Sequence, residues 1–468
     1  MRSIVIHGHF YQPPRDDPWL GSIPAEPSAA PFHDWNERIA HESYAPLAES
    51  GSLASLSFDF GSTLLAWMER YAAETYRAVL AADRASIARH AGHGGAIAMP
   101  YHHVILPLCP RREKVTEVRW GAADFRRRFG REPEGMWLPE TAVDDETLDV
   151  LAQEGVGFTI LAPHQVERVP ADGLPGWYRT AAGRRIALFL YDGGLSHDVA
   201  FGPLVRDAAA WATRLTSARQ ALVTIATDGE TFGHHHREGA ATLARILTTL
   251  AAHGDVRVEN CAAVLARQPP QEDVRLVAPS SWSCPHGVER WRAECGCRSA
   301  PERQTQQRWR APLRAALDWL AQELHAVFEQ EGGALLSDPW AARDGYGAVL
   351  DASDDAVTRF VIGQLRHPDD ARGQARAREL LELERHALRM FTSCGWFFDD
   401  IAGIESVIVL RSAARAIDLA GPAAARLEAG LVERLAAAPS NDAAVGSGRQ
   451  LYLERVRTRA AAPAVAAR

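Results

Sequence analysis

Apolar and polar positions in the first half of the chain alternate between short β-like runs and longer helical patterns. The runs are Ser3–His7, Leu53–Phe58, Ala96–Met99, Gly135–Leu138, Phe158–Leu161, Ile186–Tyr191 and Leu222–Thr227, with Val256–Glu259 as a candidate eighth. Helical periodicity fills the gaps at Ser62–Ala91, Lys114–Phe129, Asp144–Glu154 and Gly239–Ala252. Strands that alternate with helices pair in parallel. The pattern predicts an α/β fold that closes into an irregular barrel. An open doubly wound sheet comes second, weakened because no Gly-x-Gly-x-x-Gly follows the first strand. After the Pro-rich stretch Gln268–Asp273 the β signal fades. Arg303–Glu331, Ala356–Arg366, Ala371–Met390, Glu405–Leu419 and Ala423–Ala437 then read as amphipathic helices. The expected division is a barrel over 1–267, a linker and site-closing loop over 268–300, and a helical region over 301–468, frayed from about Arg457.

Two of the β-like runs end on acids. Gly135-Met-Trp-Leu-Pro-Glu140 stops at Glu140, and the run through Ala226-Thr-Asp228-Gly-Glu230 stops at Asp228. Barrel enzymes keep their chemistry at the C-terminal ends of the strands, and paired carboxylates across a groove break glycosidic bonds. Trp137 offers a flat face beside Glu140 on which a sugar ring stacks. The plainer readings are that Pro139-Glu140-Thr141 only starts a helix and that Asp228-Gly229 is only a turn. Glu230 is the rival acid. His7 and His9 end the first run two residues apart, so their side chains share one side of a strand. With His102, His103, His197 and His234–His236, and with Asp192 or Asp228 as acidic ligands, they keep a metal-dependent hydrolase open. No His-Glu-x-x-His spacing backs that alternative.

Composition narrows the choice. A net charge of -8 over 468 residues argues against a broad nucleic-acid surface. Lys114 is the sole lysine and is expected to be exposed, which removes a phosphate loop and leaves little for Schiff-base chemistry. No run of 18 apolar residues reads as a membrane span. The N-terminal apolar run is too short for an export signal, and six cysteines without one point to a reducing cytoplasm. Half of those cysteines sit in one loop, where Cys284, His286, Cys295 and Cys297 supply four candidate zinc ligands at an unusual spacing. The favoured expectation is a shaped lid with reduced thiols, with structural zinc as the alternative. Trp282 and Trp291 are placed to close over a sugar.

The motifs His7-Gly-His-Phe-Tyr-Gln12-Pro-Pro, Gly135-Met-Trp-Leu-Pro-Glu140, Thr227-Asp-Gly-Glu-Thr-Phe-Gly-His234 and Ser280-Ser-Trp-Ser283 together resemble glycoside hydrolase family 57, in motif order over residues 1–300. The helical remainder resembles that of a bacterial branch of the family. The resemblance implies an incomplete (β/α)7 barrel followed by a C-terminal α-helical domain. It also implies retaining chemistry on α-glucans, as hydrolysis or transfer, without a cofactor. Glu140 is then the nucleophile and Asp228 the general acid/base. His7, His9, Gln12, His103, Trp137, Glu230, His234 and Trp282 are placed on the substrate, an oligo- or polysaccharide. Two departures stand out: Phe10-Tyr11 intervenes before Gln12, and Gly95-Ala-Ile-Ala-Met99 lacks the glutamate usual after the glycine. The rival readings are a metal-dependent deacetylase-like hydrolase and a non-catalytic glycan-binding protein.

Overall fold

The structure is a computed structural model that describes residues 1–458. The chain divides into two compact units that interleave in sequence. The first comprises 1–12, 25–101 and 124–283; the second comprises 13–24, 102–123 and the described residues from 284 onward. The change near the middle of the chain thus falls at Ser283–Cys284, inside the stretch expected to be a linker, and two earlier segments join the helical unit.

The first unit is the incomplete (β/α)7 barrel. Its named strands are β1 (Arg2–Phe10), β2 (Ser57–Phe60), β3 (Phe158–Leu161), β4 (Gly176–Arg179), β5 (Arg185–Leu190), β6 (Leu222–Asp228) and β7 (Val256–Val258). Strand β1 pairs in parallel with β6 along one edge and with β2 and β7 at opposite ends of the other. From β2 the ring continues through single parallel bridges, Phe58 to Ala96, Ala98 to Met136 and Gly135 to Phe158, before β3 pairs with β5. It closes where the Asp192 N–H donates to the Thr224 carbonyl at 2.7 Å. The runs at Ala96 and Gly135 are therefore staves with minimal pairing. The candidate eighth run, β7, pairs only with residues 2–4 of β1 and is not a further stave. Strand β4 is antiparallel to β5 and went unseen in the sequence.

Burial on both faces explains the unbroken apolar character of these strands: Ile4, Val5 and Ile6 are all fully buried. Side-chain caps start the flanking helices, with Asp144 accepting from Thr147 N and Asn260 from Ala263 N. The pattern over Ser62–Ala91 is two helices, Ser62–Tyr71 and Ala73–Arg89, parted at Ala72 (φ -136°, ψ 48°). Alanine favours helix, so packing rather than propensity sets this break.

The second unit is helical. Helix Arg310–Leu335 buries Leu313, Leu317, Leu320, Leu324 and Phe328 on one stripe, and it packs with helices Ala371–Arg389 and Ala424–Leu435. Lys114, expected exposed, is 1% exposed; it shares the inner face of its helix with Glu117 and Val118. Arg457 is held by Asp418 at 2.7 Å and by Glu428. The frayed end expected beyond it lies, from residue 459, outside the described residues.

Candidate active site

Strand register builds the barrel lip. Across β2, β1 and β6, Asp59 is the partner of His9 and His9 the partner of Asp228. Partners in a parallel sheet point to the same side, so the three polar groups form one row, with Ser57 and His7 one step deeper. Within this row the buried Asp59 carboxylate accepts from His7 Nε2 at 3.0 Å and from His9 Nδ1 at 2.8 Å. His7 Nδ1 lies 3.1 Å from Ser57 Oγ. Burial pushes His7 below its ordinary value, favouring the neutral ring. Burial pulls His9 the same way, but Asp59, Asp228 and Glu230 outweigh it and raise His9 to about 9. At neutral pH His9 is an imidazolium beside Asp228.

Asp228 is raised by burial and by Asp59, against the opposing pull of His9. Glu230 is raised to about 7 by burial and by Asp228. Their settings differ. Glu230 is 6% exposed, accepts from the Tyr44 hydroxyl, and lies 3.4 Å from the Tyr11 N–H. Gly229 between them is there for packing, since a Cβ at that position would lie 2.0 Å from the Phe10 ring.

Glu140 sits in a 3-10 turn with φ 58° and ψ 20°, followed by Thr141 at φ 48°. Two consecutive left-handed non-glycine residues store strain that the surroundings must hold. Gln165 does so: its Nε2 donates to the Thr141 carbonyl at 2.8 Å and to Ser280 Oγ at 3.2 Å, and its Oε1 accepts from Ala162 N at 2.8 Å. The Glu140 carboxylate accepts from Trp282 Nε1 at 3.0 Å and Ser283 Oγ at 2.5 Å, both on Oε2. The Trp282 ring meets Trp137 at 5.1 Å, His9 at 6.4 Å and Tyr191 at 6.4 Å. Tyr191 in turn feels the charge of Asp228. Trp282 therefore links the surroundings of the two acids.

Several expected residues land elsewhere. Trp137 is fully buried and stacks on His7 at 4.9 Å and His9 at 5.0 Å. A covered ring offers no face to a sugar, so the sugar-stacking role expected of it does not hold; the part-exposed indole is Trp282. Trp291 is likewise buried. Gln12 is buried, and its carbonyl accepts from Thr63 Oγ1 at 3.2 Å. His234 pairs with Glu42 at 2.5 Å. His103 belongs to the helical unit, with Nδ1 2.6 Å from Ser393 Oγ. Asp192 caps helix Gly193–Ala200. Asp59, Gln165 and Tyr191 were missed. For Asp59 a signal existed: Phe58-Asp59-Phe60-Gly61 repeats the run-then-acid pattern that marked Asp228.

Residues 56–276 match the model for glycosyl hydrolase family 57, and residues 306–468 match a domain of unknown function, DUF3536. The resemblance to family 57 therefore holds over 56–276. Alpha-amylase 1 of Dictyoglomus thermophilum is 23% identical over 128 residues, which are 27% of this chain and 18% of that protein. Among solved structures, an exo-type maltose-forming amylase from Pyrococcus sp. ST04 superposes with a TM-score of 0.74 at 16% identity, covering 93% of this chain and 84% of that one. A branching enzyme from Pyrococcus horikoshii gives 0.55 at 15% identity, covering 93% and 88%. At these identities the structural likeness is one of fold.

Proposed function

We propose, from the family 57 match of residues 56–276 and the two carboxylates of the barrel lip, that the protein is a retaining glycoside hydrolase or transglycosylase acting on α-glucan-type glycans. In this reading Glu140 attacks the anomeric carbon while Asp228 gives its proton to the leaving oxygen. A glycosyl–enzyme ester forms and the aglycone leaves. Asp228 then takes a proton from water or from an acceptor hydroxyl, whose oxygen displaces Glu140. The raised Asp228 suits the acid that must begin protonated. In this reading Glu230, held by Tyr44 and Tyr11 and itself raised by the charge of Asp228, does not touch the sugar. Trp282 and Ser283 orient the nucleophile, and His9 carries a positive charge into the groove.

The observation that carries this reading is the pair of strand-end acids whose surroundings meet at Trp282. A metal-dependent hydrolase has less behind it, because the nitrogens of His7 and His9 that face Asp59 bond to it directly. We place the protein in the cytoplasm, which agrees with six cysteines that form no disulfide with one another and with no described helix long and apolar enough to cross a membrane. The test is a panel of α-linked glucans with NMR of the first-formed anomer. Product of retained configuration, absent with Glu140→Gln, is expected. Inverted product, or turnover that needs an added divalent metal, contradicts the reading.

A further inference from the structure

The loop after Ser283 brings four metal-binding atoms together at the protein surface. Among the described residues, Cys284, His286, Cys295 and Cys297 are the group of such side chains whose ligand atoms all lie within 4.8 Å of one another. The separations are 3.7 Å from Cys284 Sγ to Cys297 Sγ, 4.0 Å from Cys284 Sγ to Cys295 Sγ, 4.0 Å from Cys284 Sγ to His286 Nδ1 and 3.6 Å from Cys297 Sγ to His286 Nδ1. A tetrahedral zinc with sulfur at 2.3 Å sets its ligands about 3.5–3.8 Å apart. The observed edges fall close to that figure.

From this geometry we propose that the loop is a structural Cys3His zinc site. The plain alternative, small residues packed together out of water, does not fit their burial. Only Cys284 is buried, Cys295 and Cys297 are half-exposed, and His286 is exposed. Exposed thiols add little to a core, whereas a zinc ion gains from all four groups wherever it sits.

The surroundings complete a site for an anion. Three thiolates and a neutral imidazole around Zn2+ carry one net negative charge. The fully buried Arg310 points Nη1 at Cys295 Sγ (3.8 Å) and at the Cys297 carbonyl (3.1 Å). Donors of this kind hold ligand sulfurs in place and spread their charge. Arg290 ties the loop down, with Nε and Nη2 donating to the Phe397 carbonyl at 3.0 and 2.9 Å. Gly287 and Gly296, both at φ 84°, make the two turns that let Cys284-Pro-His286 and Cys295-Gly-Cys297 each present two ligands.

The consequence is mechanical. The segment 284–297 has little regular structure, a single 3-10 turn at Glu289–Trp291, and a zinc cross-link would fix it. Its first ligand follows directly on Ser283, which donates to Glu140. The metal is thus a folding element rather than a catalyst.

The experiment is elemental analysis of the full chain purified without added metal, beside Cys295→Ser/Cys297→Ser and a Cys109→Ser control. One zinc per chain is expected in the wild type and the control, and background zinc in the double variant. If the double variant does not fold, chelator-stripped wild type titrated with cobalt(II) alone decides. Intense visible bands of a tetrahedral thiolate site and a recovered melting temperature are expected. Zinc-free wild type with the three loop thiols reduced and a melting temperature indifferent to zinc overturns the proposal. A disulfide within the set, or iron in place of zinc, overturns it as well.

Discussion

Buried carboxylates in the two units face opposite electrostatic settings. In the helical unit Glu384 is fully buried, yet it meets His325 Nδ1 at 2.9 Å and Arg343 Nη1 at 2.8 Å. Burial alone would raise it, but those cations hold it below the ordinary range, and His325 is itself raised to about 10. In the barrel, Asp228 and Glu230 crowd each other and share one imidazolium, and both are raised. A fully paired buried charge is architecture, whereas under-compensated acids at a strand end suit the proton transfer proposed for them. Burial alone does not mark a site; the balance of charge around the buried group does.

The sharpest test of this contrast crosses two substitutions. Glu140→Gln is expected to lower kcat about 10⁴-fold or more while leaving the melting temperature nearly unchanged. Glu384→Gln leaves Arg343 uncompensated and is expected to cost about 3–5 kcal/mol of stability, read by chemical denaturation. If Glu140→Gln unfolds the barrel, or Glu384→Gln is neutral, the division between working and structural acids fails.

Asp59→Asn probes the lip from behind. The carboxylate that holds both histidines is lost, so His9 falls from about 9 toward its ordinary value. A drop of about 100-fold in kcat is expected, with the alkaline limb of the pH–rate profile moving to lower pH. An unchanged limb would show that the His9 charge is not used.

Much of this was legible in the sequence because it rests on local pattern. Glu140 and Asp228 announced themselves as acids ending apolar runs, and β1 and β6 begin and end within a few residues of their expected limits. What escaped depends on partners far away in sequence. Asp59 was cut off because the second run was read as ending at Phe58. Its role shows only once β1 lies beside it. Gln165 acts through the backbone of Thr141, 24 residues away, and nothing in its own neighbourhood predicts that. Trp137 misled for the same reason: aromatic character was visible, but not the histidines that cover it. Strand β4 is a short edge of a hairpin, with only Gly176 buried, so it lacks the apolar run that marked the others.

A gentler test concerns pH. Glu230 keeps its proton to about 7 in the folded state, against 4.5 when exposed. A raised acid contributes most below its unfolded value and loses that contribution as pH rises through the folded one. Wild-type stability should therefore fall by about 1–3 kcal/mol between pH 4.5 and 7 from this group, and Glu230→Gln should flatten that fall. A slope equal in both proteins would contradict the assigned shift. Smallest of all, Gln165→Ala frees the strained turn under Glu140, and an approximately tenfold loss in kcat with little change in KM is expected. A rise in KM alone would mean that Gln165 shapes the groove rather than the nucleophile.

The account turns on Glu140 as the atom-bearing nucleophile, and one measurement addresses that directly. The Asp228→Asn variant is incubated with α-glucosyl or α-maltosyl fluoride, whose leaving group needs no acid, and its peptides are mapped by mass spectrometry. Without the base for the second step, a glycosyl ester should accumulate on the peptide that carries Glu140. An adduct on Glu230 instead, or fluoride release with inverted sugar and no adduct, would contradict the account.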